Sequence, residues 1–225
     1  MDANFWQQRW QEGRIGFHKS DVNPQLIKYF SALALPVGSK VLVPLCGKSV
    51  DMVWLARAGY NVVGIELVES AVQAFFTEQN ITPNITEFTS ATDKSILKRY
   101  QGQLAEQTIS LWAADIFALS ATDIGKINAV YDRAALIALP AEMRADYSAQ
   151  IVELSNNAPQ LLITLNYDQS KKDGPPFSIS QQQLQQYYVA DYKLIELASQ
   201  SSTLNAVSEL AVTEQVWLLK PQSTH

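Results

Sequence analysis

The chain alternates short, almost wholly apolar runs with stretches in which apolar residues recur every third or fourth position. Residues 40–45 (KVLVPL) and 61–66 (NVVGIE) are runs of the first kind. Strands covered on both faces read this way, which points to a parallel sheet. Between them Val50, Val53, Trp54 and Arg57 keep helical spacing up to Gly59, a natural helix stop. After the second run, Val68, Ala71, Val72, Phe75 and Phe76 fall on one helical face. Residues 40–81 therefore predict a βαβα unit. Further strands are predicted at 108–113 (TISLWA), 127–131 (INAVY) and 160–165 (QLLITL). Before the last of these, Pro140 suits a helix's first turn, and Met143, Tyr147, Ile151 and Leu154 give that helix its apolar stripe. A turn-rich segment at 168–176 precedes a Gln-rich helix near 180–188. Residues 192–198 and 215–219 close the chain as two strands with no helical pattern between them, hence antiparallel neighbours. Residues 81–107 are polar and show no clear period. The expectation is an α/β, Rossmann-like fold: a seven-stranded, doubly wound, mostly parallel sheet with an antiparallel last strand.

Composition narrows the function classes. With 225 residues, 47% of them hydrophobic and 17% charged, and no Pro-, Gly- or Ser-rich linker, one domain over residues 1–225 is expected. The formal net charge is −5, and the only adjacent basic pairs are Lys98–Arg99 and Lys171–Lys172. A nucleic-acid surface needs a basic stripe to displace counterions, so no nucleic-acid partner is expected. No apolar run approaches the roughly 20 residues of a membrane span. The first residues also lack the basic start and apolar stretch of a secretory signal. A cytoplasmic monomer with no membrane partner is the resulting expectation. The one cysteine, Cys46, and the two histidines, His18 and His225, exclude a Cys-rich metal cluster and disfavour a His-based one or a serine–histidine triad. No metal is expected.

In a doubly wound sheet, ligands sit beyond the carboxyl ends of the strands. The first strand ends in Pro44-Leu45-Cys46-Gly47-Lys48-Ser49, and the second in Glu66, about 20 residues after Gly47. A carboxylate there can accept hydrogen bonds from both hydroxyls of a ribose, and Gly47 lets the backbone approach a nucleoside. An ordinary strand–helix turn followed by a surface glutamate is the competing reading. Gly47 is alone where G-x-G-x-x-G needs three glycines, so a pyrophosphate has no obvious cradle. A P-loop needs glycine at position 42, which is Leu. Cys46 lacks the base a catalytic thiolate requires and reads as a packing residue. Asp115 and Arg133 sit at the same rim, as site residues or as surface ion-pair partners. Trp6 and Trp10, with Phe5 and Phe17 nearby, place two indoles on one helical face. They form either a lid over a ligand or a helix packed on the body.

Taken together, these stretches resemble the thiopurine S-methyltransferase family in its compact bacterial form. The likeness is carried by Trp6-x-x-x-Trp10, Gly13 and Phe17-His18, by 43–52 (VPLCGKSVDM) and by 63–66 (VGIE). It continues through 131–136 (YDRAAL), 166–168 (NYD) and 174–177 (GPPF). The resemblance implies a class I S-adenosylmethionine-dependent methyltransferase with a lid at about residues 1–20. Implied cofactor contacts are Trp6 and Trp10 from the lid and Leu45 in the first turn. Glu66 would hold the ribose, Asp115 and Ile116 would flank the adenine, and Arg133 would lie beside cofactor and acceptor. Phe17 matches an acceptor-contacting position. Mammalian relatives carry a late arginine thought to orient or deprotonate the thiopurine, and residues 199–214 here contain neither Arg nor Lys.

The implied reaction converts S-adenosyl-L-methionine to S-adenosyl-L-homocysteine while methylating a small aromatic or heterocyclic thiol, or a selenium or tellurium compound. A halide, thiocyanate or thiol methyltransferase of the same fold, and a nonenzymatic S-adenosylmethionine-binding protein, remain alternatives.

Overall fold

The computed structural model describes residues 3–202 and 210–222. The elements run α1 (Ala3–Gln11), α2 (Pro24–Tyr29), β1 (Lys40–Pro44), α3 (Asp51–Arg57), β2 (Asn61–Glu66) and α4 (Glu69–Glu78). They continue with β3 (Asn84–Thr89), β4 (Ile96–Leu104), β5 (Gln107–Ala113), α5 (Ala121–Ile124), β6 (Ala129–Arg133) and α6 (Ala141–Ser155). The chain closes with β7 (Gln160–Asn166), α7 (Gln181–Tyr188), β8 (Tyr192–Ser201) and β9 (Thr213–Pro221).

All the strands join one sheet in the order β3-β4-β5-β2-β1-β6-β7-β9-β8. Its centre, β5-β2-β1-β6-β7, is parallel. The antiparallel pairing expected at the end of the chain is present: β9 runs against both β7 and β8. The order turns back at β1, which has β2 on one side and β6 on the other, so the crevice opens where β1 and β6 end.

Side-chain alternation explains the two cores. Leu42, Val130 and Leu162 point to one face of the sheet, where Tyr147, Ile151 and Leu154 of α6 and Leu184 of α7 cover them. Val41, Val43, Tyr131 and Ile163 point to the other, under Met52, Val53 and Leu55 of α3 and Val72, Phe75 and Phe76 of α4. Pro140 caps α6 rather than entering its first turn. The Gln-rich helix begins with a reciprocal capping box between Ser180 and Gln183.

Among the described residues nine strands stand where seven were expected. The extra two, β3 and β4, occupy residues 81–107, and they form an antiparallel meander with β5. β3 is an edge strand with its residues exposed or half-exposed, so it carries little of the alternation that betrays a half-buried strand. The β4–β5 hairpin turns on Ala105 and Glu106, both at positive φ (49° and 67°). That turn ordinarily shows itself as Asn-Gly or Asp-Gly, and Ala-Glu hides it.

One glycine is dictated by close approach. A Cβ on Gly64, in the middle of β2, would lie 2.5 Å from Leu111 Cδ2 and 2.7 Å from Cys46 Sγ. Cys46 is therefore the packing residue expected from the sequence. Its thiol is buried, and burial and the nearby Glu66 push its pKa well above the ordinary value. Gly64→Val is expected to lower unfolding free energy by about 1–3 kcal/mol through overpacking. A urea titration checks this, and an unchanged midpoint would mean that the core has slack there.

Candidate functional site

The turn after β1 is held by backbone geometry. Cys46 N–H donates to the Ile65 carbonyl at 3.0 Å and extends the β1–β2 ladder by one residue. The chain then turns with Leu45 at φ 46° and Gly47 at φ 52°. Positive φ suits Gly47 and is sterically costly for Leu45, the kind of strain that surrounding structure must hold in place. From this turn Gly47 N–H donates to Glu66 Oε2 at 2.8 Å, while Val68 N–H donates to Oε1 at 2.8 Å. Backbone N–H groups thus reach both carboxylate oxygens of Glu66. It is 7% exposed. Burial raises its pKa, and the donors Val68, Gly47 and Leu67 oppose that rise.

Above these strand ends lies a cleft of about 920 Å³. Its walls include Trp6, Trp10, Phe17, Leu45, Glu66, Asp115, Ile116 and Arg133. Gly47 stands just behind the wall, and a Cβ there would come within 3.2 Å of the Trp10 indole. Residues separated by more than a hundred positions in the chain are therefore brought to one opening. Asp115 accepts from Phe117 N–H at 3.0 Å and caps a short 3-10 turn containing Ile116. Gln150 Nε2 of α6 donates to the carbonyls of Ile116 (2.8 Å) and Leu119 (2.9 Å), tying that loop to the body. At the N-terminus, Phe17 sits edge-on to both Trp6 and Trp10, with ring centres 5.7 Å away in each case. These three aromatic rings thus pack on one another and line the cleft.

Several residues at the site escaped the sequence reading. Asp51 opens α3, is 1% exposed and accepts from Asn23 N–H (2.8 Å) and Tyr131 O–H (2.9 Å). Its Oδ2 lies 3.7 Å from Arg133 Nη1. Asp132 is fully buried and accepts from Tyr147 O–H at 2.7 Å and Leu136 N–H at 3.2 Å. Burial lifts its pKa from 3.8 to about 6 against the opposing pull of those donors. Both aspartates stand inside the recognised motifs, yet nothing in a linear pattern tells a buried carboxylate from an exposed one. Pro175 and Pro176 also reach the cleft wall. The pKa of His18 is lowered by burial first, then by Lys48, with Arg133 adding to the effect and Glu78 opposing it.

A family model described as thiopurine S-methyltransferase matches residues 1–222. The chain belongs to the thiopurine S-methyltransferase family. Among curated members of that family, the thiopurine S-methyltransferase of Psychrobacter cryohalolentis is 60% identical over 220 residues, covering 97% of this chain and 99% of the relative. Solved structures agree in fold at low identity. An S-adenosylmethionine-dependent methyltransferase from Anabaena variabilis superposes with a TM-score of 0.63 at 14% identity, covering 98% of this chain and 95% of its own. The 1,6-didemethyltoxoflavin-N1-methyltransferase of Burkholderia thailandensis, solved with S-adenosylhomocysteine bound, gives 0.61 at 13% identity, with 97% and 87% covered. The fold of this thiopurine S-methyltransferase family member is thus the class I S-adenosylmethionine-dependent methyltransferase fold. Among the described residues no group of acidic, His and Cys side chains could hold a metal ion. No helix among them is long and apolar enough to cross a membrane.

Proposed function

We propose that this chain methylates the sulfur of a small aromatic or heterocyclic thiol with S-adenosylmethionine, in the cytoplasm and as a monomer, and that it also accepts selenium or tellurium nucleophiles. The observation carrying this reading is the buried Glu66 carboxylate, fixed by Gly47 N–H and Val68 N–H at the mouth of an aromatic-roofed cleft. A nucleoside fits these residues: the Glu66 carboxylate can accept from the ribose beside its backbone donors, Asp115 and Ile116 flank the position of a purine, and no phosphate cradle is needed.

When bound, the cofactor supplies a methyl group already activated on a sulfonium. No covalent nucleophile is required of the protein. Glu66, Leu45 and the Asp115–Ile116 loop orient the donor, while Trp6 and Trp10 shield it from water and offer ring faces that attract a cation. Phe17 and Arg133 align the acceptor sulfur for in-line attack. Alignment of this kind can lower a barrier by about 7–11 kcal/mol at best.

An acceptor screen with radiolabelled methyl donor tests the proposal. Labelled product from heterocyclic thiols supports it. Label passing only to thiocyanate or halide would favour a different methyltransferase, and cofactor binding without any product would favour a nonenzymatic role. In the same assay Arg133→Ala is expected to cut kcat/KM for acidic thiols about tenfold or more while S-adenosylhomocysteine affinity changes little, since a charge-assisted contact contributes about 1.5–3 kcal/mol. Equal losses in both would remove Arg133 from the acceptor side.

A further inference from the structure

We infer that Asp51 is a specificity-determining residue: a fixed counter-charge to Arg133 that biases the acceptor site toward uncharged thiones and thiols and against acceptors carrying an additional carboxylate. The inference rests on the proposed placement of Arg133 beside the acceptor.

Three observations carry it. Asp51 is immobilised from two directions, with Oδ1 taking the Asn23 N–H and Oδ2 the Tyr131 O–H, so its charge stays where it is when a ligand enters. Arg133, by contrast, meets Asp51 at 3.7 Å, too far for a hydrogen bond. Its side chain is 19% exposed and faces the cleft, so its donors remain free to turn toward an acceptor while its charge is already balanced from behind. Finally, Glu214 and Gln200 line the same cleft from the last two strands, where residues 199–214 supply no Arg or Lys. Residues 203–209 of that stretch lie outside the described residues. An anionic acceptor beside Arg133 thus meets that cation with the buried Asp51 carboxylate 3.7 Å behind it and Glu214 two strands away, while the other cations lining the cleft, Arg9 and Lys19, belong to the N-terminal segment. Charges separated by such distances in a partly buried site still interact strongly, because solvent screens them poorly.

The experiment compares two probes, a neutral heterocyclic thione and the same ring bearing a carboxylate, with wild type, Asp51→Asn and Tyr131→Phe. Asparagine keeps an acceptor for Asn23 N–H and a hydrogen-bonding group for Tyr131 while removing the charge. Tyr131→Phe removes a hydrogen bond and leaves the charge. For Asp51→Asn, KM for the carboxylate-bearing probe is expected to fall about tenfold relative to the neutral probe, on the scale of one partly screened charge interaction. Tyr131→Phe is expected to leave the ratio of the two KM values within about twofold, as befits a neutral change. S-adenosylhomocysteine titration and a melting curve accompany each variant. A ratio unchanged by Asp51→Asn, or one that Tyr131→Phe shifts equally, overturns the inference and makes Asp51 purely structural. If the wild type binds S-adenosylhomocysteine but methylates neither probe, the acceptor reading itself fails and this inference with it.

Discussion

Glu66→Ala is expected to raise the dissociation constant for S-adenosylhomocysteine at least about a hundredfold. Two hydrogen bonds from ribose hydroxyls to a charged acceptor contribute about 1.5–3 kcal/mol each, and 2.8 kcal/mol already corresponds to about two decades in affinity. The substitution also releases Gly47 N–H and Val68 N–H, so the turn that carries Leu45 at positive φ loses its anchor. Glu66→Gln separates the two effects. Its amide oxygen can keep one backbone donor, but it offers one acceptor atom where the carboxylate offers two. Calorimetry on wild type and both variants, with circular dichroism to establish folding, makes the comparison. A well-folded Glu66→Ala protein that binds as tightly as wild type would assign the nucleoside to some other part of the cleft.

The second large effect concerns stability and pH. Asp132 is buried with its pKa lifted from 3.8 to about 6, so the folded protein holds this proton more tightly than the unfolded chain. The stability it contributes is fully present below about pH 4 and is lost as pH rises through about 6. The interval corresponds to about 3 kcal/mol. Asp132→Asn removes the titration while leaving an oxygen for Leu136 N–H and a partner for Tyr147 O–H. The variant is therefore expected to gain about 2.5 kcal/mol on wild type between pH 4 and pH 8. Urea unfolding at both pH values measures the difference. Glu66, whose pKa is also raised, titrates in both proteins and cancels. Parallel pH profiles for the two proteins would show that Asp132 is solvated or ionised more easily than its burial implies.

Arg133 ends β6 beside this carboxylate, and the chain then turns through Ala134 at φ 66°. The Leu136 N–H that Asp132 accepts lies on the far side of that turn. Asp132 thus ties down the turn that follows the arginine, which accounts for a buried acid at this point of the sheet.

The sequence by itself determined the parallel centre of the sheet, because strands buried on both faces must be apolar almost throughout, as 40–45 and 61–66 are. It also determined the rim: a glycine turn after one strand and a carboxylate at the end of the next need only local spacing to be recognised. Chemistry requiring a pyrophosphate cradle or a P-loop was excluded by single residues. The structure alone decided the β3–β4 extension, since an exposed edge strand has no apolar period and the Ala105–Glu106 turn has none of the usual turn residues. It alone decided the roles open to Asp51 and Asp132. Their importance comes from burial and from partners up to 80 positions away in the chain, and burial is a property of the packed fold that no local pattern encodes.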